Sequence, residues 1–405
     1  MTLTSAKVEI SKPPAVRQPQ AQFLNTLFAT ILALRGHVTL RNLSRSCDYS
    51  ERTIQRQFRA TFDWATFHHL ALQAVLGGAD EWIEVQDASF VPKSGKHTPG
   101  LGSFFNGCAG RPARGLEIST LALVKVTRGY ALTRHVAQTP AGTKATGDDS
   151  RLTWYAQQVV AQRATLPAQV KYLVVDGAYA KRPYLDTVVG DGRHVITKLR
   201  CDADCWFLHT APRQPGQRGR SRQYDGKVNF QDLSRFTCVG PLPDEEHVTL
   251  YTAVVWHKRL GRKLRLVVLV NRKDPRKPRY IVLAATAVEL DARTAVRYYQ
   301  ARFQIEFLFR DAKQFTGLTD CQARDVQALN FHFNAALATL NLVRVSEVQA
   351  ADTQPLPVFS VASWKQRKFN ERLVETLITK LDLEPTFIKN HPRYEEVRTY
   401  GAIAA

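Results

Sequence analysis

YQARFQIEFLFRDAK, residues 299–313, is the stretch whose reading decides the fold. Wound as a helix at about 100° per residue, Tyr299, Arg302, Glu306 and Lys313 fall at roughly 0°, −60°, −20° and −40°. An aromatic ring, two cations and one carboxylate then share a narrow stripe on a single helix face. A carboxylate able to bind metal, flanked by groups that grip phosphate, is what phosphodiester chemistry needs. The alternative is an amphipathic surface helix, with Glu306 and Arg310 as an i, i+4 ion pair and Phe303, Ile305 and Phe307 on its buried side.

The rest of the composition narrows the choice. The chain has 405 residues, 44% of them hydrophobic, which is material for two or three folded domains. Lys and Arg number 56 against 36 Asp and Glu, a formal net charge of +20 that favours a polyanionic partner, nucleic acid above all. No long Lys-rich amphipathic helix supports a membrane-surface protein instead. No apolar run reaches the roughly 18 residues of a membrane span, and the first twenty residues lack the apolar core of a secretory signal. Six scattered cysteines make no disulfide framework, so a reducing cytoplasm is expected. Cys201, Cys205 and His209 have helical i, i+4, i+8 spacing, but there is no CxxC pair and no fourth ligand, so zinc stays out of the reading.

Residues 1–20 read as a flexible arm. Residues 21–78 read as a small all-α unit: a helix over 21–35 stopped by Gly36, a short helix capped by Thr39, and a third opened by Ser50. In that third helix Ile54 and Phe58 pack inward, leaving Arg52, Gln55, Arg56 and Arg59 to point outward. Two short helices, the second rich in Arg and Gln, have the pattern of a helix-turn-helix whose second helix enters a major groove. A generic three-helix bundle with a solvated basic face is the alternative.

From about residue 79 the periodicity changes. WIEVQDASFV, GLEISTLALVKV and GYALTRHVAQ read as strands, then a helix over 150–163, the strand KYLVVDGAY, a helix over 181–189 and the strand GRHVITKLR. Three strands, helix, strand, helix, strand is the order of an RNase H-like α/β core, assigned here to residues 79–345. A β-rich insertion at about 201–288 interrupts it, with HVTLYTAVVWHKR, KLRLVVLVNRK and RYIVLAATA as its clearest runs. An apolar helix, LNFHFNAALATLNLVRV, follows the Glu306 helix. A Pro-containing linker near residue 355 leads into a C-terminal segment, 346–405, with one short helix.

Two carboxylates stand out in the core. Asp87 interrupts a strand, where an ionised carboxylate costs several kcal/mol to bury unless a cation meets it. Asp176 ends an apolar strand just before Gly177, where α/β proteins place functional groups. A turn or helix-cap role for Asp176, and a solvated edge strand for Asp87, are the structural alternatives. In this strand order the two Asp-bearing strands lie side by side, and the later helix can bring in Glu306. Three carboxylates in one place repel, and oxygen-only ligands suit Mg²⁺ or Mn²⁺.

The spacing of Tyr299, Arg302, Glu306 and Lys313 resembles the Y-(2)-R-(3)-E-(6)-K signature of bacterial insertion-sequence DDE transposases. DASFVPKSGKHTPGLGSFFNG, VVDGAYAKRPYL, RGRSRQYDGK and FLFRDAKQFTGLTDCQAR resemble other blocks of that family in the same order, over roughly 80–345. One departure is Ala88, where many relatives carry a second Asp. The resemblance implies that Asp87, Asp176 and Glu306 bind metal, two ions per site, and that Tyr299, Arg302 and Lys313 hold the phosphates of the transposon end. It also implies binding to double-stranded DNA at element ends and target, a homodimer on paired ends, and, by analogy, a hairpin intermediate. In some relatives a Trp of the insertion stacks on a flipped base; Trp206 and Trp256 are the candidates, with a core role as the alternative. The expectation is a transposase. A transposase-derived DNA-binding regulator and a metal-dependent nuclease that joins nothing remain open beside it. Trp364, Lys365, Arg367 and Lys368 suit either DNA, a dimer contact or solvent.

Overall fold

The computed structural model describes residues 17–77, 81–142, 150–211, 218–274, 276–351 and 360–403. Most of the expected N-terminal arm, part of the Pro-rich loop at 212–217 and the linker near residue 355 lie outside the described residues. Four helices open the chain: α1 (Gln18–Ala33), α2 (Leu40–Arg45), α3 (Glu51–Phe58) and α4 (Trp64–Gln73). The side chains of Thr39 and Ser50 accept the Asn42 and Thr53 amides and so cap α2 and α3, as the sequence implied.

Next come β1 (Trp82–Pro92), β2 (Gly102–Asn106), β3 (Arg111–Lys125), β4 (Tyr130–Gln138), α5 (Arg151–Ala161), β5 (Tyr172–Val175), α6 (Arg182–Gly190) and β6 (His194–Leu199). The strands stand in the order β4-β3-β1-β5-β6, with β1, β5 and β6 parallel and β3 antiparallel to both its neighbours. This mixed α/β arrangement is consistent with an RNase H-like fold. The inserted strands are β7 (Cys205–Leu208), β8 (Tyr224–Lys227), β9 (Thr237–Leu242), β10 (Glu245–His257), β11 (Arg262–Asn271) and β12 (Arg279–Ala285). They continue the same sheet, because β12 pairs antiparallel with β6. Among the described residues one 12-stranded sheet therefore runs through core and insertion.

The chain closes with α7 (Ala292–Ala301), α8 (Gln304–Phe315), α9 (Val326–Ala351), α10 (Val361–Lys380), α11 (Pro385–Lys389) and α12 (Tyr394–Thr399). The C-terminal segment thus holds a 20-residue helix and two shorter ones rather than one short helix. Helices cover both sheet faces, which is why β3 is buried along its length from Gly115 to Lys125. Tyr155 and Val159 of α5 and Leu185 and Val188 of α6 pack on Leu173, Val175 and Val195. On the other face Ala295, Ile305, Phe309, Leu329, Phe333 and Leu337 of α7–α9 pack on Ile83, Val85 and Val174. α9 is apolar nearly all round: its Phe331, Ala335, Ala338 and Leu342 share a second core with Phe23, Leu27, Ile54, Phe58 and Trp64 of the N-terminal helices.

Beneath β1 lies a buried ionic knot. Glu84 takes Arg134 Nε at 2.7 Å and Arg193 Nη2 at 2.7 Å, and all three side chains are at most 2% exposed. Burial alone would push the Glu84 carboxyl up, but the two guanidiniums overturn that and hold it below its ordinary value. The knot ties β1 to β4 and to the start of β6. Glu84→Ala leaves two buried arginines without their carboxylate and should cost about 3–5 kcal/mol in urea unfolding; a loss under about 1 kcal/mol would show the knot to be dispensable.

Candidate active site

Register places the first two carboxylates together. β1 and β5 pair in parallel with Val85 opposite Val174 and Gln86 opposite Val175, so the next step sets Asp87 beside Asp176, about 4.8 Å apart along the hydrogen-bonding direction. Strand alternation also fixes which way they point. Gln86 bonds the Tyr155 carbonyl and the Tyr184 hydroxyl on the α5–α6 side, whereas Val85 and Val174 belong to the core under α7–α9. Asp87 and Asp176 follow Val85 and Val174 and face α7–α9.

Asp176 is held at the strand end by its backbone: its carbonyl accepts Thr197 Oγ1 at 3.0 Å from β6 and the Tyr179 amide at 3.1 Å. Its side chain caps no backbone group of the short 3-10 turn that follows, so the capping role weighed from sequence does not apply. Gly177 is needed there for contact. A Cβ on it would stand 2.9 Å from the Lys198 carbonyl oxygen.

α7 and α8 supply the rest. The expected single helix is two, separated at Arg302 and Phe303, where the Ile305 and Glu306 amides bond back only three residues. Both junction residues keep right-handed helical angles, φ −50° at Arg302 and −59° at Phe303, so the axis is barely interrupted and the stripe survives. Arg302 lies between the carboxylates: Nη1 donates to Asp87 Oδ2 at 3.2 Å and Nη2 to Glu306 Oε1 at 2.8 Å. Its charge also feels Asp176, and the Tyr299 ring lies 5.8 Å away. The structure therefore gathers Asp87, Asp176, Glu306, Arg302 and Tyr299. Lys313 lies on the same face but about 10 Å further along α8, near Cys108 in the turn between β2 and β3.

The cluster is electrostatically tense. Burial raises the Asp87 carboxyl from 3.8 to about 6; Arg302 and the Ala88 amide oppose the rise, and Asp176 and Glu306 add to it. Burial likewise pushes the Tyr299 hydroxyl up. No three His, Cys, Asp or Glu side chains form a ready-made metal cage among the described residues. The guanidinium of Arg302 fills the gap between Asp87 and Glu306 where a cation would sit. The donor set still fits a hard divalent ion: carboxylate oxygens only, one of them destabilised for want of positive charge.

The packing bears on several alternatives weighed from the sequence. Glu306 pairs with Arg302, while Arg310 pairs with Asp311 at 2.9 Å and lies over Phe307. Phe303 and Phe307 are not buried. They stack edge-on at 4.9 Å, 48% and 36% exposed, beside Glu306. Their position was legible: Ile305, Leu308, Phe309 and Ala312 define the buried stripe, and Phe303 and Phe307 fall about 160° from Ile305. Cys205 is buried in β7 with its thiol pushed up to about 12, so its spacing to Cys201 is not helical. Trp206 and Trp256 are half-buried cross-strand partners, joined by Tyr224 and by Lys258 at 3.7 Å from the Trp206 ring. β7 stands six strands from β1, about 29 Å at 4.8 Å per strand, so neither ring is in the carboxylate cluster. On α3, Arg52, Gln55 and Arg56 are exposed, as is Arg59 at its end.

A family model described as DDE superfamily endonuclease matches residues 16–262. The match takes in Asp87 and Asp176 and stops short of the helix bearing Glu306. No curated protein matches the chain.

The raised carboxyl has a stability signature. Between about pH 4 and 6 the unfolded chain releases the Asp87 proton while the folded one keeps it. Metal-free protein should therefore lose up to about 3 kcal/mol as pH rises through that window. Asp87→Asn removes the effect, so the stability difference between the variant and wild type should grow from pH 4 to 6. Parallel curves in urea unfolding would contradict the assignment.

Proposed function

The chain belongs to the DDE superfamily endonucleases, and we propose that it is a DDE transposase, which binds the ends of its mobile element, cuts them and joins them to target DNA. The observation that carries this reading is the pairing of Asp87 and Asp176 on adjacent parallel strands with Glu306 brought over them by α8. These three would hold Mg²⁺ or Mn²⁺, two ions per site. Bound there, the ions supply an activated water or 3′-hydroxyl and stabilise the leaving oxygen of an in-line displacement.

The chain's own groups do the remaining work. Arg302 offsets the repulsion between the carboxylates, and its fork would serve a phosphate of the element end when the ions occupy the site. Tyr299 lies beside that fork, and Lys313, two turns along α8, reaches the next stretch of backbone. Exposed Phe303 and Phe307 offer a stacking surface for a base unpaired beside the cut. α2 and α3 would act as a helix-turn-helix, directing Arg52, Gln55, Arg56 and Arg59 to the major groove; the exposure of these four side chains supports this. The net charge of +20 suits long contact with DNA. Two ends must be cut together, which calls for a homodimer. The described residues contain no helix long and apolar enough to cross a membrane.

A gel assay on linear DNA carrying both ends that flank the gene tests this. Cuts leaving 3′-hydroxyls at the element boundary should need Mg²⁺ or Mn²⁺ and vanish in EDTA. Asp87→Asn, Asp176→Asn and Glu306→Gln should each abolish cutting while end binding stays within a few-fold of wild type. Wild-type cutting by any one of them removes that residue from the site. End-specific binding without a cut would identify a regulator, and cutting without joining to a second duplex a simple nuclease.

A further inference from the structure

A cleft of about 800 Å³ runs between the N-terminal helices and the catalytic layer. Its walls come from three distant stretches: residues 37–42 at the start of α2, 92–98 beyond β1, and 319–324 between α8 and α9. It shares Thr39 and the turn at 320–324 with a smaller cavity of about 300 Å³, whose far wall is α3 with Gln55 and Arg59. The two together lead from α3 toward the strand that carries Asp87.

The charges lining the cleft do not balance. Lys93 and Arg324 both face it, and Asp320 is its carboxylate. Asp320 is already engaged, with Oδ2 accepting the Val38 amide at 2.7 Å and Oδ1 facing His37 Nδ1 at 2.8 Å. Lys93 is partly buried and donates to the Cys321 carbonyl, a neutral partner, and it makes no ion pair among the described residues. Arg324 is exposed and has no ion pair among the described residues. Burial lowers the Lys93 pKa and the nearby Arg324 lowers it further, against an opposing pull from the Cys321 thiol. The hydroxyls of Ser94 and Thr319 add donors to the same walls. Two cations and neutral donors suit a phosphodiester.

Position agrees with chemistry. Lys93 lies six residues beyond Asp87 along the extended chain, about 20 Å, or roughly six base-pair steps of duplex. We propose that this cleft is a phosphate-binding track, in which Lys93 and Arg324 grip the backbone of the element-end duplex between α3 and the carboxylates. The proposal rests on the transposase reading and adds to it two positioning residues outside the carboxylate site.

The test is end binding by fluorescence anisotropy with full-length protein in EDTA, between about 50 and 200 mM salt. Element-end and scrambled duplexes are compared for wild type, Lys93→Met, Arg324→Gln and Lys380→Gln. The last removes an exposed charge on α10, away from the cleft. Each cleft variant should lower the slope of log K against log salt by about 0.9, equally on both duplexes, because a phosphate contact reads no sequence. Lys380→Gln should leave the slope at the wild-type value. Lys93→Met also removes the bond to the Cys321 carbonyl, so Arg324→Gln, whose side chain makes no hydrogen bond or ion pair among the described residues, decides. Slopes matching Lys380→Gln overturn the track and leave the transposase reading standing. A wild type that binds neither duplex overturns both.

Discussion

The parallel pairing of β1 with β5 is the constraint on which the rest of the molecule depends. Parallel neighbours cannot be joined by a tight turn, so the chain must leave β1, build β2–β4, cross by α5 and return. The pairing is buried on both faces, which commits α5 and α6 to one side and α7–α9 to the other. It also sets the chemistry. A slip of one residue would turn Asp87 or Asp176 to the wrong face, and Ile83, Val85 and Val174 in the core, with Glu84 in its ionic knot, hold the register against that slip.

α8 then has three jobs on one circumference. Ile305, Leu308, Phe309 and Ala312 fasten it to the sheet, Glu306 and Lys313 share a second stripe, and Phe303 and Phe307 remain in solvent. At the junction of α7 and α8, Arg302 reaches two carboxylates from separate elements at once. A guanidinium in that position satisfies the cluster well enough to keep it folded, but not well enough to keep Asp87 at its ordinary acidity.

Much of this is legible in the sequence. The strands around Asp87 and Asp176 announced themselves by apolar runs broken by single carboxylates, and α3 by its cap and its Ile54 and Phe58 spacing. What escaped was short or long-range. GSFFN, YDGK and TCVGPL carry Gly or Pro in runs of six or fewer residues, so β2, β8 and β9 gave no periodic signal. That the insertion extends the main sheet depends on Val282–Ala285 meeting Ile196–Leu199, a pairing no local pattern encodes. The α7–α8 break has neither Gly nor Pro to mark it. The Arg302–Glu306 pair is an i, i+4 contact, but that Arg302 also reaches Asp87 follows only from tertiary packing.

α9 draws the ends of the chain into the same structure. One side of it closes the core over the sheet and the other closes the core of the N-terminal helices, so each region completes its apolar interior with residues of the same helix. The contact is reinforced at the turn before α9. Gly317, at φ +76°, lets the backbone approach Val38 so closely that a Cβ there would stand 2.4 Å from the Val38 Cβ. His332 of α9 bonds the Gly317 carbonyl at 2.7 Å, and Asp320 takes the Val38 amide. α3 and the carboxylates are therefore held at a fixed separation by shared packing rather than by a tether. On the proposed transposase reading, a rigid gap of this kind would let a duplex gripped at one end be cut at a set distance from it, because neither end can shift without opening a core.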